Sequence, residues 1–327
     1  MVDTRSHLGE IAVEVSDALR ALDLPAEPAG LYDPVRYVLA GGGKRVRPAL
    51  VLLAAQAFGG AEGRRRAMPA ALGVEVFHNF TLVHDDIMDR ASTRRGRATV
   101  HLTWDEPTAI LAGDLMMGLA CDLIARTESA DLGPLLRSHY EMVARLCEGQ
   151  TLDMAFETRQ DVTVEEYVGM IDRKTGALLE HALDLGARIG GADDAVAYAL
   201  RESGRALGRA FQIQDDLLDV TADADGWGKP VGGDLVEGKR TWLVLAARER
   251  ATPADHGWLA EVLGGGLDPG RVGHVRQRLD SLGVLADAAD AVASYTDAGR
   301  AGLDALPDSD ASDALRALAL GLASRTV

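Results

Sequence analysis

Apolar residues recur every three or four positions through most of this chain, and alternating β-branched runs are scarce, so the pattern predicts helices almost throughout. The interruptions are short and rich in Gly and Pro: Pro25–Pro34, Gly59–Gly63, Gly190–Ala192, Ala222–Gly233, Gly264–Gly270 and Pro307–Asp310. None has the look of a disordered linker, so residues 1–327 are expected to form one all-α domain, a single large helical bundle. One predicted helix runs from about Ala70 to Arg90 and another from about Glu202 to Val220.

Each of those two helices carries the same acidic pattern. The first has Asp85-Asp86-Ile87-Met88-Asp89, the second Asp215-Asp216-Leu217-Leu218-Asp219. At about 3.6 residues per turn the first and fifth residues stack on one face, with the second Asp beside them. Like charges so placed destabilise a helix by a few tenths of a kcal/mol per pair. A hard cation is the expected compensation, because Mg²⁺ takes one or two carboxylates, waters and substrate phosphates. A lone copy reads equally well as a solvated helix face; two copies set in apolar sequence point to a cage for Mg²⁺ and a polyphosphate. No EF-hand is present, since neither the Gly turn nor the closing Glu follows at the required offset.

The basic residues sharpen this picture. Of 34 Lys and Arg, only Lys44, Lys174, Lys229 and Lys239 are lysines, and each adjoins Gly or Thr: Gly43-Lys44, Lys174-Thr175, Gly228-Lys229 and Gly238-Lys239. A compact charge on a flexible stem suits phosphate, and glycine lets an anion approach backbone N–H groups. Gly41-Gly42-Gly43-Lys44-Arg45-Val46-Arg47-Pro48, just before an apolar run, is a candidate diphosphate cradle at a helix start, though it lacks P-loop spacing. Arg94-Arg95-Gly96 sets two guanidinium groups beside the first acidic motif, whereas Arg64-Arg65-Arg66 reads as a solvated loop.

A net charge of −16 disfavours non-specific nucleic-acid binding. Cys121 and Cys147 are isolated and read as buried thiols in a reducing compartment. The longest apolar run, around Ala49–Ala55, is too short for a bilayer, and no signal peptide is recognised, so the expectation is a cytoplasmic protein without a transmembrane segment.

With these segments in hand (GGKRVRP, DDIMDRASTRRG, KTG, FQIQDDLLD, WGKP and EGKR) the chain resembles the trans-polyprenyl diphosphate synthases over most of its length, up to Lys239. The resemblance implies an all-helical bundle around a deep central cavity, commonly homodimeric. It assigns Mg²⁺, three ions with substrate bound, to Asp85, Asp89 and Asp215, supported by Asp86, Asp216 and Asp219. It assigns isopentenyl diphosphate to Lys44, Arg47, His78 and Arg95. It assigns the allylic diphosphate to Arg94, Lys174, Thr175, Gln212, Lys229 and Lys239, with Lys174, Thr175 and Gln212 nearest the chemistry. The implied reaction is head-to-tail condensation through an allylic carbocation, with Thr175 and Gln212 turning oxygen dipoles towards the cation and Ala222–Gly233 acting as a lid.

Product length is expected to follow the helix before Asp85, where one turn rises about 5.4 Å, roughly one isoprene unit. Thr81, four residues before Asp85, is the first mark and is small; Phe80 flanks it, and Phe77 lies near the second turn. This resembles archaeal-type geranylgeranyl diphosphate synthases, with farnesyl or longer polyprenyl diphosphates as the alternatives. A class I terpene cyclase is disfavoured by the all-aspartate second motif and the Lys44/Arg47/His78 set. A non-catalytic synthase subunit is disfavoured by retention of both motifs.

Overall fold

A computed structural model describes residues 4–129, 132–222 and 231–324. Among them, helices predominate: α1 (Thr4–Arg20), α2 (Ala29–Leu39), α3 (Val46–Met88), α4 (Val100–Thr103), α5 (Glu106–Ala125), α6 (Leu132–Phe156), α7 (Val164–Ile171), α8 (Ala177–Gly190) and α9 (Asp194–Thr221). They continue as α10 (Gly233–Glu237), α11 (Trp242–Arg250), α12 (His256–Leu263), α13 (Val272–Ser281), α14 (Val284–Leu303) and α15 (Asp310–Ser324). A minimal hairpin pairs β1 (Thr93–Arg94) with β2 (Arg97–Ala98), and a π-helical turn, Asp172–Gly176, joins α7 to α8.

The helix carrying the first acidic motif begins just after Gly60, before Arg64 rather than near Ala70, and continues a run that starts at Val46. α3 is helical from Val46, interrupted only at Gly60, whose φ of 60° and ψ of −153° lie outside the helical region. Glycine alone tolerates that conformation cheaply, so the Gly59–Gly63 break is a kink and the chain resumes its helix at once. This corrects the reading of Arg64-Arg65-Arg66 as a loop. Arg64 bridges to Glu14, Arg65 bonds Glu62 and Glu128, and Arg66 donates to the Ile189 carbonyl. Glu14, Glu128 and Ile189 are distant in sequence, which local composition cannot reveal.

Two apolar cores are joined by helices that contribute to both. Leu50, Leu53, Phe77, Ile124, Leu183 and Leu315 belong to the first, formed chiefly around α3, α5, α8 and α15. Tyr167, Leu243, Val262 and Leu279 belong to the second, around α7 and α11–α13. α9 spans both, giving Leu200 and Leu207 to the first and Ile213 and Val220 to the second. An Asp193 N-cap accepting the Val196 N–H at 2.8 Å starts it.

One further expectation changes. Cys121 and Cys147 are exposed, because each lies on the outer face of its helix, α5 or α6. α5 is also long and apolar enough, by length and composition alone, to cross a membrane. Its charges, Glu106, Asp114 and Asp122, are spaced widely enough to have masked that in a search for uninterrupted runs. Here it packs along α3, burying Ala109, Ala112, Met116 and Ala120.

The π turn is wedged against α6. A Cβ on Gly149 would lie 2.3 Å from the Lys174 backbone nitrogen, far inside van der Waals contact. Gly149→Ala is therefore expected to cost about 1–3 kcal/mol as an overpacked site. Urea denaturation at unchanged slope measures it; a loss below about 0.5 kcal/mol would mean α6 backs away freely.

Candidate active site

The glycine-rich segment is organised by a buried arginine. Arg45 adopts φ 51°, left-handed for a non-glycine residue, and is 3 % exposed. Its guanidinium reaches Glu75 Oε1 at 2.6 Å, the Gly41 carbonyl at 2.7 Å and Ser16 Oγ at 3.1 Å. That anchorage turns the neighbouring Lys44 outward and starts α3 at Val46 without a side-chain cap. Lys44, Arg47, His78 and Arg95 then line one cavity of about 290 Å³, together with Glu75, Leu179 and Phe211. All four residues assigned to isopentenyl diphosphate thus come together.

Charge in this cavity is mostly positive, with Glu75 paired to Arg45. Arg47 Nη1 donates to His78 Nε2 at 3.2 Å, and a guanidinium can only donate, so that ring nitrogen is unprotonated. Burial, then Arg47 and Arg95, hold the imidazole well below its ordinary pKa. His78 is a neutral acceptor that orients Arg47. The Arg95 guanidinium packs where a Gly43 Cβ would be, 3.2 Å away, so the RRG turn closes directly on the glycine loop.

The second cavity, about 350 Å³, is lined by Asp89, Asp215, Asp216, Lys174, Thr175, Gln212 and Lys239 among others. The two acidic motifs therefore meet across one space. Their members are not equivalent. Asp85 is half-buried; burial raises its pKa, opposed by the charge of Lys174 and reinforced by Asp89. Asp86 is 4 % exposed and accepts Arg94 Nε at 2.9 Å and Nη2 at 2.6 Å, so Arg94 braces the first motif here. Asp216, also buried, accepts the Tyr167 hydroxyl at 2.7 Å and the Trp242 backbone N–H at 2.9 Å on one oxygen. That N–H belongs to the first turn of α11 and has no helical partner, so Asp216 ties three helices together. Burial pushes its pKa up to about 7, with these bonds opposing. Asp219 turns away: its Oδ2 accepts the Asp234 N–H at 3.1 Å, holding the segment that enters α10.

Lys174 Nζ pairs with Asp153, and Thr175 Oγ1 bonds Gln212 Oε1 at 3.2 Å. Lys239 meets Asp234 at 3.1 Å and Glu237 at 2.9 Å; burial lowers its pKa, but the two carboxylates raise it by more. Lys229 and most of the proposed lid, residues 223–230, lie outside the described residues. Sequence reasoning missed Gln150 and Asp153, one turn apart on α6, and Tyr167 and Asp234, all lining this cavity. The Gln150–Asp153 spacing, i and i+3, was the available signal; Tyr167 and Asp234 carry none without the fold.

Below the first motif, Thr81 is half-buried, Phe80 is 9 % exposed and Phe77 is fully buried. The Phe77 ring lies 5.2 Å from Phe80 and 5.3 Å, edge-on, from His139 of α6. His139 in turn bonds His181 of α8 at 3.1 Å. The end of the ruler is therefore backed by helices other than α3.

Among the described residues no three His, Cys, Asp or Glu side chains stand close enough to hold a metal by themselves. Hard oxygen donors facing a shared cavity fit a cation whose shell waters and phosphates complete.

Comparison with known proteins agrees with this geometry. A family model described as polyprenyl synthetase matches residues 28–281. The chain is 46 % identical over 230 residues to a geranylgeranyl diphosphate synthase of Methanosarcina mazei, covering 70 % of each. It is 38 % identical over 326 residues to a geranylfarnesyl diphosphate synthase of Natronomonas pharaonis, covering 93 % of this chain and 92 % of that one. The crystal structure of geranylgeranyl pyrophosphate synthetase from Pyrococcus horikoshii superposes with a TM-score of 0.91 at 38 % identity, covering 99 % and 98 % of the two chains. A cationic cavity beside an acidic one, on an all-helical frame shared with these enzymes, places the chain in the polyprenyl synthetase family of prenyl-transferring enzymes.

Proposed function

We propose that this protein condenses isopentenyl diphosphate with an allylic diphosphate, head to tail, and makes chiefly geranylgeranyl diphosphate. The observation that carries the reading is the separation of two anion sites of different character. One is lined by Lys44, Arg47, His78 and Arg95; the other combines Lys174 and Lys239 with facing aspartates. A single-substrate cyclase needs only the second.

Asp85, Asp89 and Asp215 are suited to hold Mg²⁺, with Asp86, Asp216 and Asp219 fixing the frame around them. Bound Mg²⁺, three ions when substrate is present, supplies charge that stabilises a departing diphosphate. The protein's own part is orientation. Gln212 Nε2 points to Asp216 Oδ1 at 3.4 Å, which leaves its carbonyl oxygen to accept the Thr175 proton. With that proton committed, the Thr175 oxygen offers only lone pairs, the polarity an allylic cation requires. The allylic C1–O bond breaks with its electron pair on the leaving diphosphate. The isopentenyl double bond then attacks C1, and a C2 proton passes to the departing diphosphate. Lys174 and Lys239 hold that diphosphate, and Lys44, Arg47 and Arg95 hold the other, keeping both anions apart.

A single domain and a homodimer belong to this reading. α9 joins both cores, and Ile110, Leu111 and Tyr140 leave apolar area exposed on α5 and α6 that a second copy would cover.

Steady-state kinetics with each substrate varied separately test the two sites. Arg47→Ala should raise the KM for isopentenyl diphosphate at least tenfold and barely move the allylic KM. Lys174→Ala should do the reverse. Charged hydrogen bonds contribute about 1.5–3 kcal/mol, roughly ten- to a hundredfold. Effects of both variants on the same substrate alone would overturn the assignment.

A further inference from the structure

The π turn that carries Lys174 and Thr175 is gripped by charges that no step of the reaction uses. Glu180, on the first turn of α8, is 2 % exposed and accepts two arginines at once. Arg145 of α6 reaches it at 2.6 and 2.9 Å, and Arg205 of α9 at 3.1 Å on each oxygen. At the other end of the turn Arg209 Nε donates to Asp172 Oδ1 at 2.6 Å, with its Nη2 on the second oxygen. Arg145 also reaches the Asp172 carbonyl, at 3.4 Å, and Arg209 lies over the Tyr295 ring.

Helical spacing makes this arrangement continuous with the site. Arg145, Gly149 and Asp153 stand four apart on one face of α6. Arg205, Arg209, Gln212 and Asp216 occupy one face of α9 in the same way. Arg145 on α6 and Arg205 and Arg209 on α9 hold the ends of the π turn, Gly149 and Gly208 let its backbone in, and Asp153 and Gln212 meet Lys174 and Thr175. A Cβ on Gly208 would lie 2.8 Å from the Gly176 Cα, matching the close approach at Gly149 on the opposite side. A π turn is an irregular insertion found often at functional sites, and it has competing geometries nearby. A buried carboxylate between two guanidinium groups gains little net stability, because desolvation offsets attraction, but its bidentate geometry is specific.

We propose that Glu180 and Asp172, with Arg145, Arg205 and Arg209, form a positioning clamp that sets where the π turn presents Lys174 and Thr175 to the allylic diphosphate. The inference rests on the proposed role of Lys174. Glu180 and Asp172 are positioning residues and touch no substrate.

A mutant cycle on the full-length protein tests it. Glu180→Gln should lower kcat at least tenfold while the KM for isopentenyl diphosphate stays within twofold, since misplacement by about 1 Å can cost up to about 10²-fold. In a Lys174→Ala/Thr175→Val background the same change should cost less than about twofold, because both of its targets are already gone. Asp172→Asn, at the more accessible end, repeats the test should Glu180→Gln fail to fold, and circular dichroism with a thermal melt verifies that each variant is native. Equal losses of kcat in both backgrounds, unchanged kcat in folded variants, or equal damage to both substrates' KM would overturn the clamp. An unchanged allylic KM with full turnover in Lys174→Ala alone would overturn the assigned role of Lys174 as well, and that single variant separates the two failures.

Discussion

Replacing Asp85 or Asp215 by alanine should cut turnover by about 10²–10³-fold, the usual cost of removing one group that stabilises developing charge. Chelation should abolish turnover of the unaltered protein, and added Mg²⁺ should restore it. The two residues earn the largest expected effect through their setting. Each is the half-buried first member of its motif, whereas the second members, Asp86 and Asp216, are committed to Arg94, Tyr167 and Trp242. Single-turnover rates with a farnesyl or geranyl primer, at saturating metal, are the measurement. Near-normal turnover in either variant would mean that the two motifs do not act on one cation–diphosphate assembly.

The second large effect is on product identity. Thr81→Phe should shift the main product from geranylgeranyl to farnesyl diphosphate or shorter, with turnover retained. Phe80→Ser should open space beside the same turn and admit longer products. A close-packed cavity cannot hold both a new ring and a growing hydrocarbon chain. Chromatography of the dephosphorylated products under equal substrate ratios reads the result. An unchanged distribution in both variants would move the length limit to α6 and α8, where His139 and His181 stand behind Phe77.

Periodic apolar positions were enough to foresee a helical bundle, and two acidic repeats were enough to foresee that α3 and α9 converge. The cationic set was legible too, since Lys44, Arg47, His78 and Arg95 do share one cavity. What escaped was everything decided by distant partners. Arg45 looked like one more base in a basic loop, yet it is buried against Glu75 and organises that loop. Tyr167 and Asp234 are single polar groups whose local pattern gives no reason to choose them. Arg64-Arg65-Arg66 has the composition of a loop, but one glycine absorbs the kink and the helix continues. Cysteines are usually buried, but the face they occupy on α5 and α6 points outward.

The two acidic motifs look alike in sequence and differ in mechanical compliance. The second is carried by α9, which is embedded in both cores, so sliding it along its axis would disrupt packing at both ends. The first stands at the end of α3, with Asp89 exposed as its terminal residue and only a short hairpin beyond. The two motifs are therefore held in different ways, the second by packing on both sides of α9 and the first by the Arg94–Asp86 ion pair at a helix end.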